Sequence, residues 1–206
     1  MEPMPSDKYS TESRRMLLDI ARYSIAQAVS SGGALNEPVG QPLVVDCTAL
    51  PEALVQSRAV FVTLTKNGEL RGCTGSLQPR DPLASAVSSA AYTTAFDDPR
   101  FAAVGSHELA DLCIEISVLS PLCEMFVADE TELYNTLHRG VDGLVIDDGV
   151  RNATFLPKMW ESLPEPSRFV GELKNKAGMP YGYWSSELRL FRYQTETFTE
   201  RPNPRM

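Results

Sequence analysis

The chain reads as an α+β protein with mostly antiparallel strands, and three observations predict this. Residues 59–66 form a strand-like run that meets Asn67-Gly68, the dipeptide a type I′ hairpin turn requires, before a return strand. Residues 143–147 meet Asp148-Gly149 in the same way and return over 150–156. The helical runs stand outside these hairpins instead of alternating with single strands, which argues against a doubly wound parallel sheet. Hairpin plus helix occurs twice, without matching identity to make it a duplication.

The first helix begins at Ser10, an N-cap, and runs to about residue 31, with Leu17, Leu18, Ala21, Ile25, Ala28 and Val29 at helical spacing and Gly32-Gly33 as the stop. Residues 34–58 carry Pro38, Gly40, Pro42 and Pro51 around Leu43-Val44-Val45, so an irregular connection with one brief strand or turn of helix is expected, and with it a lobe boundary. Asp81-Pro82 reads as an N-cap and first helical residue, opening a helix rich in small residues that ends near Phe96, before Asp97-Asp98-Pro99. Residues 112–119 alternate as a strand closed by Pro121, with Leu112, Ile114 and Ile116 on one face. A short helix is expected over 131–139, helical segments from Pro157 and from a Ser167 cap to Ala177-Gly178, and a last strand over 188–198.

Bulk properties narrow the function. The 206 residues, 43% apolar and 22% charged, suffice for one large domain or two small lobes. A formal net charge of -8 with no basic run longer than Arg14-Arg15 argues against nucleic acid as partner. The first fifteen residues lack the apolar block of a secretory signal and no run is long enough for a membrane span, so a cytoplasmic, membrane-free protein is expected. In that setting Cys47, Cys73, Cys113 and Cys123 are expected to stay reduced, and with no C-x-x-C pair and only His107 and His138 beside them, no metal site is expected. Neither a phosphate-binding loop nor a dinucleotide fingerprint occurs, so the cofactor is unknown.

The stretch that carries chemistry is Arg71-Gly72-Cys73-Thr74-Gly75. Two glycines let other atoms approach closely, and a cation two residues from the thiol favours its thiolate. The functional reading is a thiolate in a cleft, used as nucleophile, redox group or ligand, with backbone N–H groups available to an oxyanion. The plainer reading is a glycine-flanked bulge around a packed cysteine. His107 can serve as general base if the fold brings it to Cys73, although a lone loop histidine is commonly solvated. Arg100 suits a carboxylate or phosphate, with an internal aspartate the simpler partner, and Asp97 or Asp98 fits a local turn. His138, Lys174 and Lys176 have a plain account as cations near helix C-termini. Trp160, Tyr181, Tyr183 and Trp184 either wall a pocket or partner surface or cover the core, and the other three cysteines read as ordinary.

Taken together, residues 70–75, 95–101, 114–119, 140–145, 155–157 and 176–178 resemble, in order, the blocks of the AMMECR-one domain family, whose prokaryotic members are called AmmeMemoRadiSam system protein A. The resemblance implies flexible tails at 1–9 and 201–206 and one domain over 10–200. It also implies two unequal lobes, the larger holding both chain ends, and a barrel-like sheet with flanking helices. It implies no known reaction. The residues themselves make Cys73, Arg71 and His107 the catalytic candidates and Gly72, Thr74, Gly75 and Arg100 the ligand-binding ones. Thr74 departs from the aliphatic residue usual there and puts a polar group beside the thiol. Memo-like and radical S-adenosylmethionine proteins are the implied partners, a small molecule the implied ligand, and a noncatalytic scaffold for those partners the rival reading.

Overall fold

The computed structural model describes residues 9–31 and 40–200, so Gly32-Gly33 and nearly all of the expected tails lie outside the described residues. Among the described residues five helices and eight strands are formed: α1 Thr11–Ser31, α2 Glu52–Val55, β1 Val60–Lys66, β2 Glu69–Ser76, α3 Leu83–Phe96, β3 Leu112–Leu119, β4 Cys123–Met125, α4 Glu130–Thr136, β5 Gly143–Asp147, β6 Asn152–Phe155, α5 Pro166–Lys176, β7 Arg189–Tyr193 and β8 Thr195–Thr199. The strands make two four-stranded sheets, ordered β2-β1-β3-β8 and β4-β7-β5-β6. Two compact units follow the sheets. One is drawn from the chain's two ends, up to Leu119 and from Glu196 on, and the other is Ser120–Thr195.

In the first unit, Ser10 Oγ accepts the Ser13 N–H at 3.1 Å and caps α1, whose Leu17, Ala21, Ile25 and Ala28 are fully buried. Leu17, Ala21 and Ile25 pack with Leu83, Val87 and Ala91 of α3 over Val60, Val62, Leu64, Ile114 and Ile116, the alternate residues of β1 and β3. The Asn67-Gly68 turn has φ of 53° and 84°, as a type I′ turn demands. In the second unit, Leu144, Ile146, Phe155 and Leu190 of the sheet pack against Phe169 and Leu173 of α5 and against Trp160, which stacks on Phe169 at 3.8 Å.

The family resemblance implied a barrel-like sheet, and among the described residues no closed barrel is formed. Both sheets are open, with β2 and β8 as the edges of one and β4 and β6 of the other. Helices cover one face of each sheet, so each core is closed by helix-on-sheet packing and not by a sheet curling onto itself.

Several boundaries differ from the sequence expectations for local reasons. Pro82 is itself the N-cap of α3, since its carbonyl accepts the Ala86 N–H at 2.9 Å, which leaves Asp81 outside the helix. The brief helix of the connection is α2, directly after Pro51, whereas Val44 is 92% exposed in irregular chain. The expected last strand is two strands: Gln194 separates β7 from β8, which belong to different sheets. The three-residue β4 is too short to show a period in sequence.

A clamped cysteine as the candidate functional site

Cys73 lies on β2, an edge strand, and a bulge decides where its side chain points. Pairing runs Lys66 with Glu69 and Thr65 with Leu70, then slips by one so that Leu64 faces Gly72 and Thr63 faces Cys73. Arg71 is the extra residue. Gly72 and Thr74 therefore face α3, and Cys73 faces the opposite side of the sheet, together with Thr63. A Cβ on Gly72 would lie 2.6 Å from the Thr94 carbonyl oxygen of α3, which is why glycine is required beside the bulge.

The free edge of β2 at Cys73 is occupied by side chains instead of a strand. Asp98 Oδ2 accepts the Cys73 N–H at 2.9 Å, and Arg100 Nη2 donates to the Cys73 carbonyl at 3.1 Å. The two side chains are themselves a two-pronged pair, Nε to Oδ1 at 3.0 Å and Nη2 to Oδ2 at 2.7 Å. The Arg100 side chain next to Asp98, followed by the N–H groups of Cys73 and Arg100, holds the Asp98 carboxyl far below the usual carboxylate range despite its burial. The thiol itself has one hydrogen-bond partner among the described residues, the Thr63 hydroxyl, which donates to Sγ at 3.3 Å.

Arg71 is tied to a second buried carboxylate. Its Nε and Nη2 donate to Glu108 Oε1 and Oε2 at 3.1 and 3.0 Å, and Lys66 Nζ donates to the same Oε1 at 2.9 Å. These bonds, that of Arg71 first, bring the Glu108 carboxyl down from its ordinary 4.5 to about 2. Two cations on one carboxylate leave a positive charge in excess. Phe101 joins the two arginines, its ring centroid lying 5.9 Å from Arg71 Cζ and 5.5 Å from Arg100 Cζ.

The structure thus brings Arg71, Cys73 and Arg100 into one network. His107 sits in the 3-10 turn Ser106–Glu108 beside that network: its neighbour Glu108 holds Arg71, while its own ring is exposed and packs on Gly105. Thr74, the departure from the family pattern, turns its hydroxyl toward α3, 2.7 Å from Thr94 Oγ1 and 3.2 Å from the Ala90 carbonyl oxygen, so its polarity is met inside the core. A Cβ on Gly75 would come 2.2 Å from the Val60 carbonyl oxygen. Among the described residues no cluster of three or more His, Cys, Asp or Glu could hold a metal.

Sequence reasoning passed over Thr63, Lys66, Glu108 and Glu115. Along the face that carries Cys73, a polar row crosses the sheet through Thr63, opposite it on β1, and Glu115, opposite Thr63 on β3, to Thr199, whose hydroxyl donates to Glu115 Oε2 at 3.4 Å. The period-two pattern Thr63-x-Thr65 in an otherwise apolar strand was the available signal. Glu108 offered none, because its partners are 37 and 42 residues away.

Outside this region, Cys47, Cys113 and Cys123 are free thiols, and burial pushes the Cys113 thiol upward. His138 follows α4 and pairs with buried Asp142 at 2.9 Å. Lys174, expected only to complement a helix dipole, is fully buried and bonds Glu130 at 2.6 Å.

Fold and site define an α+β protein of two open antiparallel sheets, with one thiol on a bulged edge strand held by arginine–carboxylate pairs. The chain belongs to the AMMECR1 family, whose model matches residues 18–198. It is 34% identical over 202 residues to a protein of Methanothermobacter thermautotrophicus, covering 94% of this chain and 98% of that one. A Thermococcus onnurineus protein is 34% identical over 195 residues, 89% of this chain and 88% of the relative. The crystal structure of the uncharacterized protein PH0010 from Pyrococcus horikoshii is similar with a TM-score of 0.77 at 29% identity, covering 89% of each chain. No helix among the described residues is long and apolar enough to cross a membrane.

Proposed function

We propose that this protein is a cysteine-centred enzyme or small-molecule-binding protein in which Cys73 is the group that meets the ligand. The observation that carries this reading is the division of labour around Cys73. Its N–H and C=O are fixed by Asp98 and Arg100, while among the described residues its sulfur receives only the Thr63 hydroxyl. Holding a backbone from both sides positions a side chain at little entropic cost when a reactant arrives. Arg71 and Arg100 are held by carboxylates and share the Phe101 ring, so both guanidinium groups are fixed in place before a ligand binds. The protein works in a pathway with Memo-like and radical S-adenosylmethionine proteins, in the cytoplasm.

The test is the rate of iodoacetamide modification of Cys73 against pH in the folded protein, with Cys73→Ser to subtract the other three thiols. Fast modification that has levelled off by neutral pH supports the reading. Slow modification at every pH, with the fold intact, sinks it and leaves the motif as architecture.

A further inference from the structure

Arg71 carries a donor that the fold leaves unanswered. Its Nε and Nη2 bond the two oxygens of Glu108, and Nη2 also approaches the Ala103 carbonyl oxygen at 3.5 Å. Its Nη1 is buried with no hydrogen-bond partner among the described residues. A buried donor on a charged group is costly to leave unmade, and such an orphan marks the place of a bound water or ion. Glu108 cannot supply the missing acceptor, because each of its oxygens already takes two donors. Lys66 Nζ and Arg71 Nε meet on Oε1, and Arg71 Nη2 and the Gly105 N–H meet on Oε2.

Charge selects the kind of group that fits. In the ion-paired network three cations, Lys66, Arg71 and Arg100, stand against two carboxylates, Glu108 and Asp98. Asp98 is matched by Arg100, so the cation in excess belongs to the pair that shares Glu108. The Arg71 side chain is only 14% exposed, and solvent screens its charge weakly. A negative oxygen is therefore favoured at Nη1 over a water or a neutral carbonyl. The edge of the guanidinium that grips both oxygens of a carboxylate is spent on Glu108, so one NH2 group remains, and it takes a single oxygen. Lys66, 31% exposed and bound to the same Glu108 oxygen as Arg71 Nε, marks the side open to solvent. We propose that Arg71 Nη1 binds the carboxylate or phosphate group of a small molecule, with Lys66 supplying the second positive charge. This site is independent of the chemistry at Cys73.

The experiment uses the full chain and two probes, methyl phosphate and acetate, against chloride at equal ionic strength. A saturable rise in melting temperature is expected with at least one probe, and the tighter of the two tells which group the ligand carries. In NMR spectra of the unmodified chain the side-chain N–H resonances of Arg71 should shift with the same midpoint. Arg71→Lys keeps a cation beside Glu108 but has no NH2 group in the place of Nη1, and it should weaken binding about tenfold or more. Lys66→Gln leaves the Arg71–Glu108 pair whole, so it serves if the first variant fails to fold, and it too should weaken binding. The proposal is overturned if neither probe stabilises the protein more than chloride does, or if the Arg71 resonances stay in place while the probe binds. Binding by either folded variant as tight as that of the parent would also overturn it.

Discussion

Asp98 Oδ2 accepts the backbone N–H of Cys73 at 2.9 Å across 25 residues of sequence, and the same carboxylate binds the guanidinium of Arg100 that reaches the Cys73 carbonyl. One buried side chain thereby fixes both polar groups of a single peptide position. Edge strands are exposed to pairing by foreign chains, and side chains that occupy the edge remove that opportunity.

Replacing Asp98 by Asn should therefore loosen Cys73 without unfolding the unit. The amide keeps an acceptor for the Cys73 N–H but offers an NH2 group toward Arg100. A loss of about 1–3 kcal/mol is expected, the cost of leaving a buried donor poorly matched. Urea unfolding measures it, and the Cys73 amide should exchange faster in the variant; unchanged exchange would mean that the clamp does not hold the strand.

Gly72 and Gly75 are required for space, not for turn geometry. A Cβ at Gly75 would lie 2.2 Å from the Val60 carbonyl oxygen and 2.6 Å from Phe61 Cα, and one at Gly72 would lie 2.6 Å from the Thr94 carbonyl oxygen. These are backbone atoms, which cannot step aside as a side-chain tip can. Gly72→Ala and Gly75→Ala should each cost about 1–3 kcal/mol. Gly182→Ala, with nothing within 4 Å of its Cβ, is the control and should leave the urea midpoint unchanged.

Acid should destabilise the protein through the two carboxylates of the site. Asp98 and Glu108 are both held low, chiefly by Arg100 and Arg71 respectively, with Glu108 at about 2 against an ordinary 4.5. A carboxylate depressed in the folded state adds stability that is fully present above its unfolded pKa and is lost as the pH falls toward the folded one. The melting temperature should therefore hold from neutral pH to about 5 and decline below that. In Glu108→Gln the stability at neutral pH should be lower and the acid decline shallower. An equally steep decline in that variant would assign the acid sensitivity to other groups.

The order of helices and hairpins was readable because it rests on local physics. Asn67-Gly68 takes positive φ with little strain, Ser10 caps the helix that follows it, and Gly178, at φ 75°, ends α5. The motif around Cys73 was readable as a set of residue types. Its wiring was not, because Glu108, Asp98 and Thr63 reach it only through tertiary approach. β4 escaped notice because a strand of three residues is defined by its partner β7 and not by its own pattern.

The face that Cys73 occupies marks the division most sharply. The sequence alone determined that residues 60–76 form a tight hairpin carrying this thiol on its return strand, since the turn dipeptide and alternation are local properties. Counted evenly from that turn, Cys73 would oppose Val62, whose side chain is fully buried under the helices. The tertiary structure places it opposite Thr63. The bulge at Arg71 makes the difference, and Gly72 fits against α3 only with that bulge in place. In a strand with a side-chain period of two, one inserted residue exchanges the two faces, and packing against the rest of the unit chooses between them.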